Sequence, residues 1–124
     1  MRISPERFEQ LAFEEAEAVL DRLPERLRAE AETVILNVEP QAGPELMDGR
    51  RGQLLGLYVG VPLVERHADS VILQPDRITL FHLPLQAMAR TEVELRRQVR
   101  RTLIHELAHF FGRDEDELRA RGWA

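Results

Sequence analysis

Apolar residues recur at helical spacing through the first two dozen positions of the chain. The segment Ser4-Pro5-Glu6 has the order of an N-cap, a proline at the first helical position and an acidic first turn. The pattern predicts an amphipathic helix that ends near residue 23. Pro24 begins a shorter helix, whose apolar side continues with Leu27 and Ala31. The apolar positions of the first helix are Phe8, Leu11, Ala12, Ala16, Val19, Leu20 and Leu23.

Four later segments are apolar over short stretches, as strands are. Gly56 and Gly60 would allow the second of them a bulge or a close approach to another backbone. Residues 40–53 are rich in proline and glycine, which predicts a loop. The last two segments predict a hairpin across Gln74-Pro75-Asp76. The predicted strands are Thr33–Val38, Leu54–Val61, Val71–Leu73 and Arg77–His82.

A long helix is predicted from residue 91 to residue 111. Thr91 and Glu94 have the spacing of a capping box, and Gly112 stands where a left-handed residue commonly ends a helix. Its periodicity places His105 and His109 near the apolar stripe and away from an arginine-rich face. The apolar positions are Val93, Leu95, Val99, Leu103, Leu107 and Phe110.

The order of these elements predicts the fold class. Residues 84–90 and 114–118 add two short helices, the second capped by Asp114. Strands that follow one another between helices favour an α+β layer over a doubly wound parallel sheet. Because no repeat, linker or low-complexity segment is present, residues 1–124 are expected to form a single domain.

Within the long helix, His105-Glu106-Leu107-Ala108-His109 matches the pattern HExxH. Two histidines four residues apart lie on one helical face and can hold one Zn²⁺, while Glu106 can accept a proton from water activated by the metal. Gly112 and Glu115 extend the motif to HExxHxxGxxE, and Glu115 is a possible third ligand. The alternative is a helix whose histidines and glutamate only pack or pair as side chains.

Composition excludes several other functions. With no cysteine, the chain has no disulfide, thiol nucleophile or cysteine-based zinc finger. A net charge of −5 argues against nucleic acid, so the arginine pairs of the long helix are expected to form solvated surface. No apolar run approaches the length of a membrane span, and no secretory segment follows Met1, so a cytoplasmic protein is expected. The absence of cysteine and the single asparagine fit a heat-stable protein and a GC-rich genome equally well.

Two further side chains could take part in chemistry. His82 ends a predicted strand and could approach the metal, although such a histidine more often only packs or faces solvent. Tyr58 could donate a hydrogen bond to a developing oxyanion, although a strand tyrosine is first a core residue.

The chain resembles the small bacterial zincin-like metallopeptidases, a minimal form of the zincin fold. Blocks in several parts of the chain carry the resemblance, and two of them are more specific than HExxH, which unrelated folds share. These two are Leu54-Leu55-Gly56-Leu57-Tyr58 and Gly60-Val61-Pro62-Leu63. The others are Phe8 through Leu23-Pro24-Glu25, Pro75 through Leu80, Val99 through His109, and Gly122-Trp123.

The resemblance implies a small mixed sheet over an active-site helix, with the N-terminal helix packed on it. It also implies that His105 and His109 bind the metal and that Glu106 is the catalytic acid and base. Its third ligand is the carboxylate that ends the motif, here Glu115 in place of the usual aspartate. Asp116 is the alternative ligand. The family often has a histidine directly after HExxH, where this chain has Phe110.

Two functions follow as hypotheses. The first is a zinc-dependent metallopeptidase, with a peptide or protein substrate held as an extended strand beside the sheet segment Leu54–Val61. The second is a non-catalytic or regulatory module that binds peptide or protein and retains the metal site.

Overall fold

The computed structural model describes residues 1–49, 52–66 and 75–122. The predicted strand Val71–Leu73 and the terminal Trp123 lie outside these ranges. The described part contains α-helices, β-strands and one turn of 3₁₀ helix at Leu63–Glu65. The helices are α1 Pro5–Asp21, α2 Glu25–Ala31, α3 Pro44–Met47, α4 His82–Ala87, α5 Glu92–Phe111 and α6 Glu115–Ala120. The strands are β1 Ile35–Glu39, β2 Gly56–Val59 and β3 Arg77–Phe81.

Side-chain caps mark the beginnings of α1, α5 and α6, whereas α2, α3 and α4 begin without one. The Ser4 hydroxyl accepts a hydrogen bond from the backbone N–H of Arg7 at 3.1 Å, so α1 begins at the predicted residue. Helix α4 begins at His82, two residues before the predicted segment, and α3 lies within the predicted loop. None of the helices in the described ranges is long and apolar enough to cross a membrane.

The three strands form one mixed sheet with β3 in the centre. Strand β1 is parallel to β3, with Leu36 opposite Ile78. Strand β2 is antiparallel to β3, with Leu57 opposite Thr79. The α+β class and the mixed sheet are therefore confirmed, with strands shorter than the apolar segments predicted.

Helices α1 and α5 pack together, and the ion pairs between them include a buried carboxylate. Glu15 of α1 is 5% exposed and pairs with Arg96 at 3.4 Å and with Arg100 at 3.2 Å. Arg96 and Arg100 therefore link α5 to α1. The sequence analysis had predicted that they would only form solvated surface. Val93, which was predicted to belong to the apolar stripe of α5, is exposed. The largest fully buried side chains are Phe8, Phe110, Leu11, Leu80, Leu85, Leu95 and Val99.

Candidate metal centre

Helix α5 carries the HExxH motif between two well-defined ends. The Thr91 hydroxyl accepts the backbone N–H of Glu94 at 3.1 Å, as the capping-box spacing predicted. At the other end Gly112 has φ 70° and ψ 30°, the left-handed conformation. The N–H of Gly112 donates to the carbonyl of His109 at 3.0 Å, and that of Arg113 donates to Ala108 at 2.9 Å. This pair of bonds is the Schellman arrangement, so the chain turns sharply just after the motif.

His105 and His109 lie one helical turn apart and point into solvent-accessible space. Their ring centroids are 4.7 Å apart, and their side chains are 56% and 54% exposed. The sequence predicted that both histidines would lie near the apolar stripe. Both are instead exposed, and Glu106 is the motif residue that faces inward. One ligand atom from each of His105, Glu106 and His109 lies within 4.8 Å of the others. The three side chains thus form a compact group that could hold a metal ion.

The Glu106 carboxylate is buried against strand β2. Its residue is 4% exposed, and its Oε1 accepts a hydrogen bond from the backbone N–H of Tyr58 at 3.1 Å. The same oxygen lies 3.3 Å from Nδ1 of His109. A backbone donor from the sheet therefore holds this carboxylate beside the histidines.

Strand β2 can lie this close to α5 because residue 56 is glycine. A Cβ at Gly56 would lie 2.6 Å from the Thr102 methyl group and 3.3 Å from the carbonyl oxygen of Thr79. Any larger residue would push β2 away from the helix and lengthen the bond between Tyr58 and Glu106. The expectation that glycine permits a close backbone approach here is confirmed.

The backbone of β2 has one paired edge and one edge that faces the histidines. The Leu55 carbonyl accepts from Phe81 on β3 at 3.0 Å, whereas the Tyr58 N–H points to Glu106. Backbone groups alternate in direction along a strand, so those of Gly56 and Tyr58 face away from β3. This edge borders a cavity of about 470 Å³. The cavity is lined by Leu54, Leu55, Gly56, Leu57, Tyr58, Met88, Gln98, Arg101, Thr102, His105, Glu106, His109 and Glu115.

Glu115 approaches His105 because α6 starts directly after the turn at Gly112. Asp114 is the N-cap of α6, and its carboxylate accepts the backbone N–H of Glu117 at 2.8 Å. Glu115, the first residue of the helix, makes a hydrogen bond through Oε1 to Nδ1 of His105. The Asp116 side chain is 96% exposed and pairs with Arg119 at 3.4 Å. Of the two candidate carboxylates, the fold brings Glu115 into contact with His105, although Glu115 is outside the group formed by His105, Glu106 and His109.

A second polar cluster forms around the Tyr58 side chain of strand β2. The Tyr58 hydroxyl donates to Asp76 at 2.7 Å, and the Arg66 guanidinium forms an ion pair with the same carboxylate. Arg66 also donates through Nε to the Val61 carbonyl at 2.8 Å. At Gly60 a Cβ would lie 2.0 Å from Asp76 Oδ1, so the chain passes the cluster without a side chain. The cluster anchors the segment that follows β2.

Burial and hydrogen bonding shift the pKa values of this cluster. Burial and the bond to Asp76 raise the pKa of the Tyr58 hydroxyl above its usual range. Burial opposes ionisation of Asp76, but hydrogen bonds from Tyr58 and Arg66 and the charge of Arg66 outweigh it, so the pKa of Asp76 is lowered. The Tyr58 hydroxyl is thus committed to Asp76, and the idea that it donates to an oxyanion is not supported by this geometry.

Comparison with known proteins places this arrangement in a family. The family model described as zincin-like metallopeptidase matches residues 31–123. The chain belongs to the zincin-like metallopeptidase family. A solved structure of similar size, a conserved hypothetical protein from T. thermophilus, is 22% identical with a TM-score of 0.58. The match covers 95% of this chain and 99% of that one, and it supports the fold. No curated protein matched the chain.

Membership of the zincin-like family implies a divalent metal, typically zinc. The residues present fit such an ion, since imidazole nitrogen and carboxylate oxygen are common zinc ligands in proteins. The grouping within 4.8 Å of donor atoms from His105, Glu106 and His109 is the structural observation behind this fit.

His82 lies away from the zincin-like motif. It is buried, stacks on Phe8 with ring centroids 4.6 Å apart, and its Nε2 lies 3.1 Å from the Gln86 side-chain oxygen. It does not line the cavity beside His105. Its role is packing between α1 and α4, as the more ordinary of the two expectations had it.

Sequence reasoning missed the side chains that support the zincin-like site. Asp76 was assigned only to a turn, and Arg66 was not singled out, because their partners are distant in sequence. Arg101 was treated as surface although it lines the cavity. One signal was available for it, since Gln98, Arg101 and His105 are three and four residues apart and share a helical face.

Proposed function

We propose that the protein is a zinc-dependent metallopeptidase in which Glu106 is the general base and acid. The observation that carries this proposal is the buried Glu106 carboxylate, held by the Tyr58 N–H beside two exposed histidines at the edge of β2. A carboxylate needed only for packing would not require a histidine pair on one side and an open cavity beside it.

In this proposal His105, His109 and Glu115 hold the ion. Two imidazoles and one carboxylate are a known ligand set of catalytic zinc sites, which keep a fourth position for water or substrate. A zinc ion bound there supplies Lewis-acid chemistry, because it acidifies water and polarises a carbonyl group. Glu115 is already in contact with His105, which supports its part in the ligand set.

The chemistry of the chain's own residues centres on Glu106. Its carboxylate accepts a proton from the attacking water and passes that proton to the amine that leaves when the peptide bond breaks. The Tyr58 N–H fixes the orientation of this carboxylate. A general base held in place by a backbone donor loses little entropy when substrate arrives.

The substrate is proposed to bind as an extended strand along the edge of β2 that pairs with no other strand in the described part of the chain. The N–H and carbonyl of Gly56 and the carbonyl of Tyr58 face the cavity and can pair with a peptide backbone, while the Tyr58 N–H stays bound to Glu106. A peptide in this position runs beside the face of α5 that carries His105 and Glu106, so a scissile bond can lie over the motif.

Digestion of a peptide library tests the proposal. Protein loaded with zinc is expected to cleave peptides, and protein treated with a chelator is expected to cleave none until zinc is restored. Cleavage products are identified by mass spectrometry. If zinc-loaded protein binds peptides of the library but cleaves none, the alternative of a non-catalytic peptide-binding module replaces the peptidase.

The third ligand has its own prediction. Removing a side chain that only orients a metal ligand lowers metal affinity about 10- to 100-fold. Loss of a ligand itself should cost more, so Glu115→Ala is expected to lower zinc affinity by more than about a hundredfold. Asp116→Ala should leave affinity unchanged, since that side chain is in solvent. Asp114→Ala should cost about 1 kcal/mol of stability through loss of the helix cap.

Competition with a chelator of known affinity measures all three variants. A loss of only tenfold in Glu115→Ala would make Glu115 a hydrogen-bonding partner of His105 that does not touch the metal. A loss confined to Asp116→Ala would move the ligand by one residue.

A further inference from the structure

The face of α5 that borders the cavity continues beyond the motif toward the start of the helix. The cavity residues of α5 are spaced three, four or one apart, as one continuous helical face requires. Within this face Arg101 precedes His105 by one turn. The α5 residues on the face are Gln98, Arg101, Thr102, His105, Glu106 and His109.

Strand β2 runs alongside this face in the same direction as the helix. The Tyr58 N–H meets Glu106, and two residues earlier Gly56 lies against Thr102. A strand paired with β2 would therefore extend from Glu106 past Thr102 toward Arg101. Four helical residues rise about 6 Å, close to the length of two residues in an extended strand. Arg101 thus faces a substrate position about two residues from the bond over the motif.

Arg101 has no carboxylate partner within the ranges that the structure describes. The neighbouring Arg96 and Arg100 are paired with acidic residues of α1. On its own helix, the positions three and four residues from Arg101 are Arg97, Gln98, Ile104 and His105, none of them acidic.

The other charged groups of the cavity already have partners. Glu106 accepts from the Tyr58 N–H, and Glu115 contacts His105. Among the described residues, Arg101 is the one permanently cationic side chain that lines the cavity. A guanidinium with its donors unused is suited to bind a carboxylate in two hydrogen bonds.

We infer that Arg101 selects substrates that carry a carboxylate about two residues from the cleaved bond. This inference rests on the proposed peptidase function and names its substrate class, acidic peptides. The carboxylate is either an aspartate or glutamate side chain or the C-terminal carboxylate of the peptide. Arg101 is a specificity-determining residue in this inference and has no part in the proton transfers of Glu106.

Matched peptides test the inference with zinc-loaded protein. One pair differs only in Asp against Asn at the position two residues from the cleaved bond, and a second pair differs only in a free against an amidated C-terminus. The acidic member of at least one pair is expected to have a kcat/KM about tenfold higher, and the pair that responds identifies which carboxylate is bound.

Variants attribute this preference to one side chain. Arg101→Gln is expected to bring the ratio close to one, and Arg101→Glu to reverse it in favour of the neutral member of the pair. Arg97→Gln is the matched control, because Arg97 is exposed on the same helix but does not line the cavity. Equal kcat/KM within both pairs for the wild type, or the same ratio in Arg101→Gln, overturns the inference.

Peptide binding separates this inference from the proposed function. If no peptide is cleaved, fluorescence polarisation measures binding of the same labelled peptides to the zinc-loaded wild type and Arg101→Gln. An acidic preference that needs Arg101 then supports the carboxylate site although the peptidase proposal has failed. No difference between the acidic and neutral peptides, or no binding at all, overturns the carboxylate site as well.

Discussion

Glu106→Gln is expected to abolish peptide hydrolysis while the protein stays folded and retains zinc. A general base contributes about 10²- to 10⁴-fold to a rate, so kcat should fall at least about a hundredfold. The amide has the size of the carboxylate, and its oxygen can still accept the Tyr58 N–H that now holds Glu106 at 3.1 Å. It cannot accept a proton from water, however, and this is the property that the variant removes.

Measurements of kcat, zinc content and melting temperature on the same preparation separate these effects. Glu30→Gln removes the same charge at an exposed position of α2 and should leave all three values unchanged. Equal hydrolysis by wild type and Glu106→Gln would remove Glu106 from the mechanism. A loss of zinc in Glu106→Gln would instead show that this carboxylate contributes to metal binding.

Gly112→Val is expected to reduce the free energy of unfolding by about 3 kcal/mol, the largest stability effect we predict. Gly112 has φ 70°, a conformation that β-branched residues avoid because the side chain meets the backbone. A Cβ at this position would also lie 2.3 Å from a methyl carbon of Val64. Both effects oppose the turn that brings Glu115 back to His105, so zinc affinity should fall together with stability.

Denaturant unfolding and chelator competition measure the two consequences. Gly49→Val is the control for the backbone alone, because Gly49 has φ 72° and a Cβ there meets no atom of the described residues within 4 Å. It should cost less than Gly112→Val. Val64→Ala in the Gly112→Val background should recover the part of the loss that comes from the contact. Unchanged stability and metal affinity in Gly112→Val would show that the turn does not depend on glycine.

Signals between residues close in sequence were enough to predict both ends of α5 and the position of the HExxH motif within it. Thr91 caps α5 and Gly112 ends it, as predicted, because the hydrogen bonds of a cap join residues only a few positions apart. The HExxH spacing likewise brings His105, Glu106 and His109 together on any regular helix. The consecutive strands between helices were sufficient to predict the α+β class.

Tertiary structure alone decided how the motif is surrounded. Periodicity did not predict that Glu106 would be buried while both histidines are exposed, because the approach of β2 determines this. The bond from Tyr58 to Glu106 joins residues 48 positions apart, and Gly56 and Thr102 meet across a similar separation. Local pattern carries no information about such contacts.

The same reason applies to charge. Four arginines in two pairs on α5 look alike in sequence, yet two of them pair with acids of α1 and Arg101 lines the cavity. Asp76, assigned to a turn, is buried where Tyr58 and Arg66 converge on it. The sequence by itself determined which residues are available for chemistry and which helix carries them. The tertiary structure decided which charges are paired and which face the cavity, because that depends on packing between elements distant in the chain.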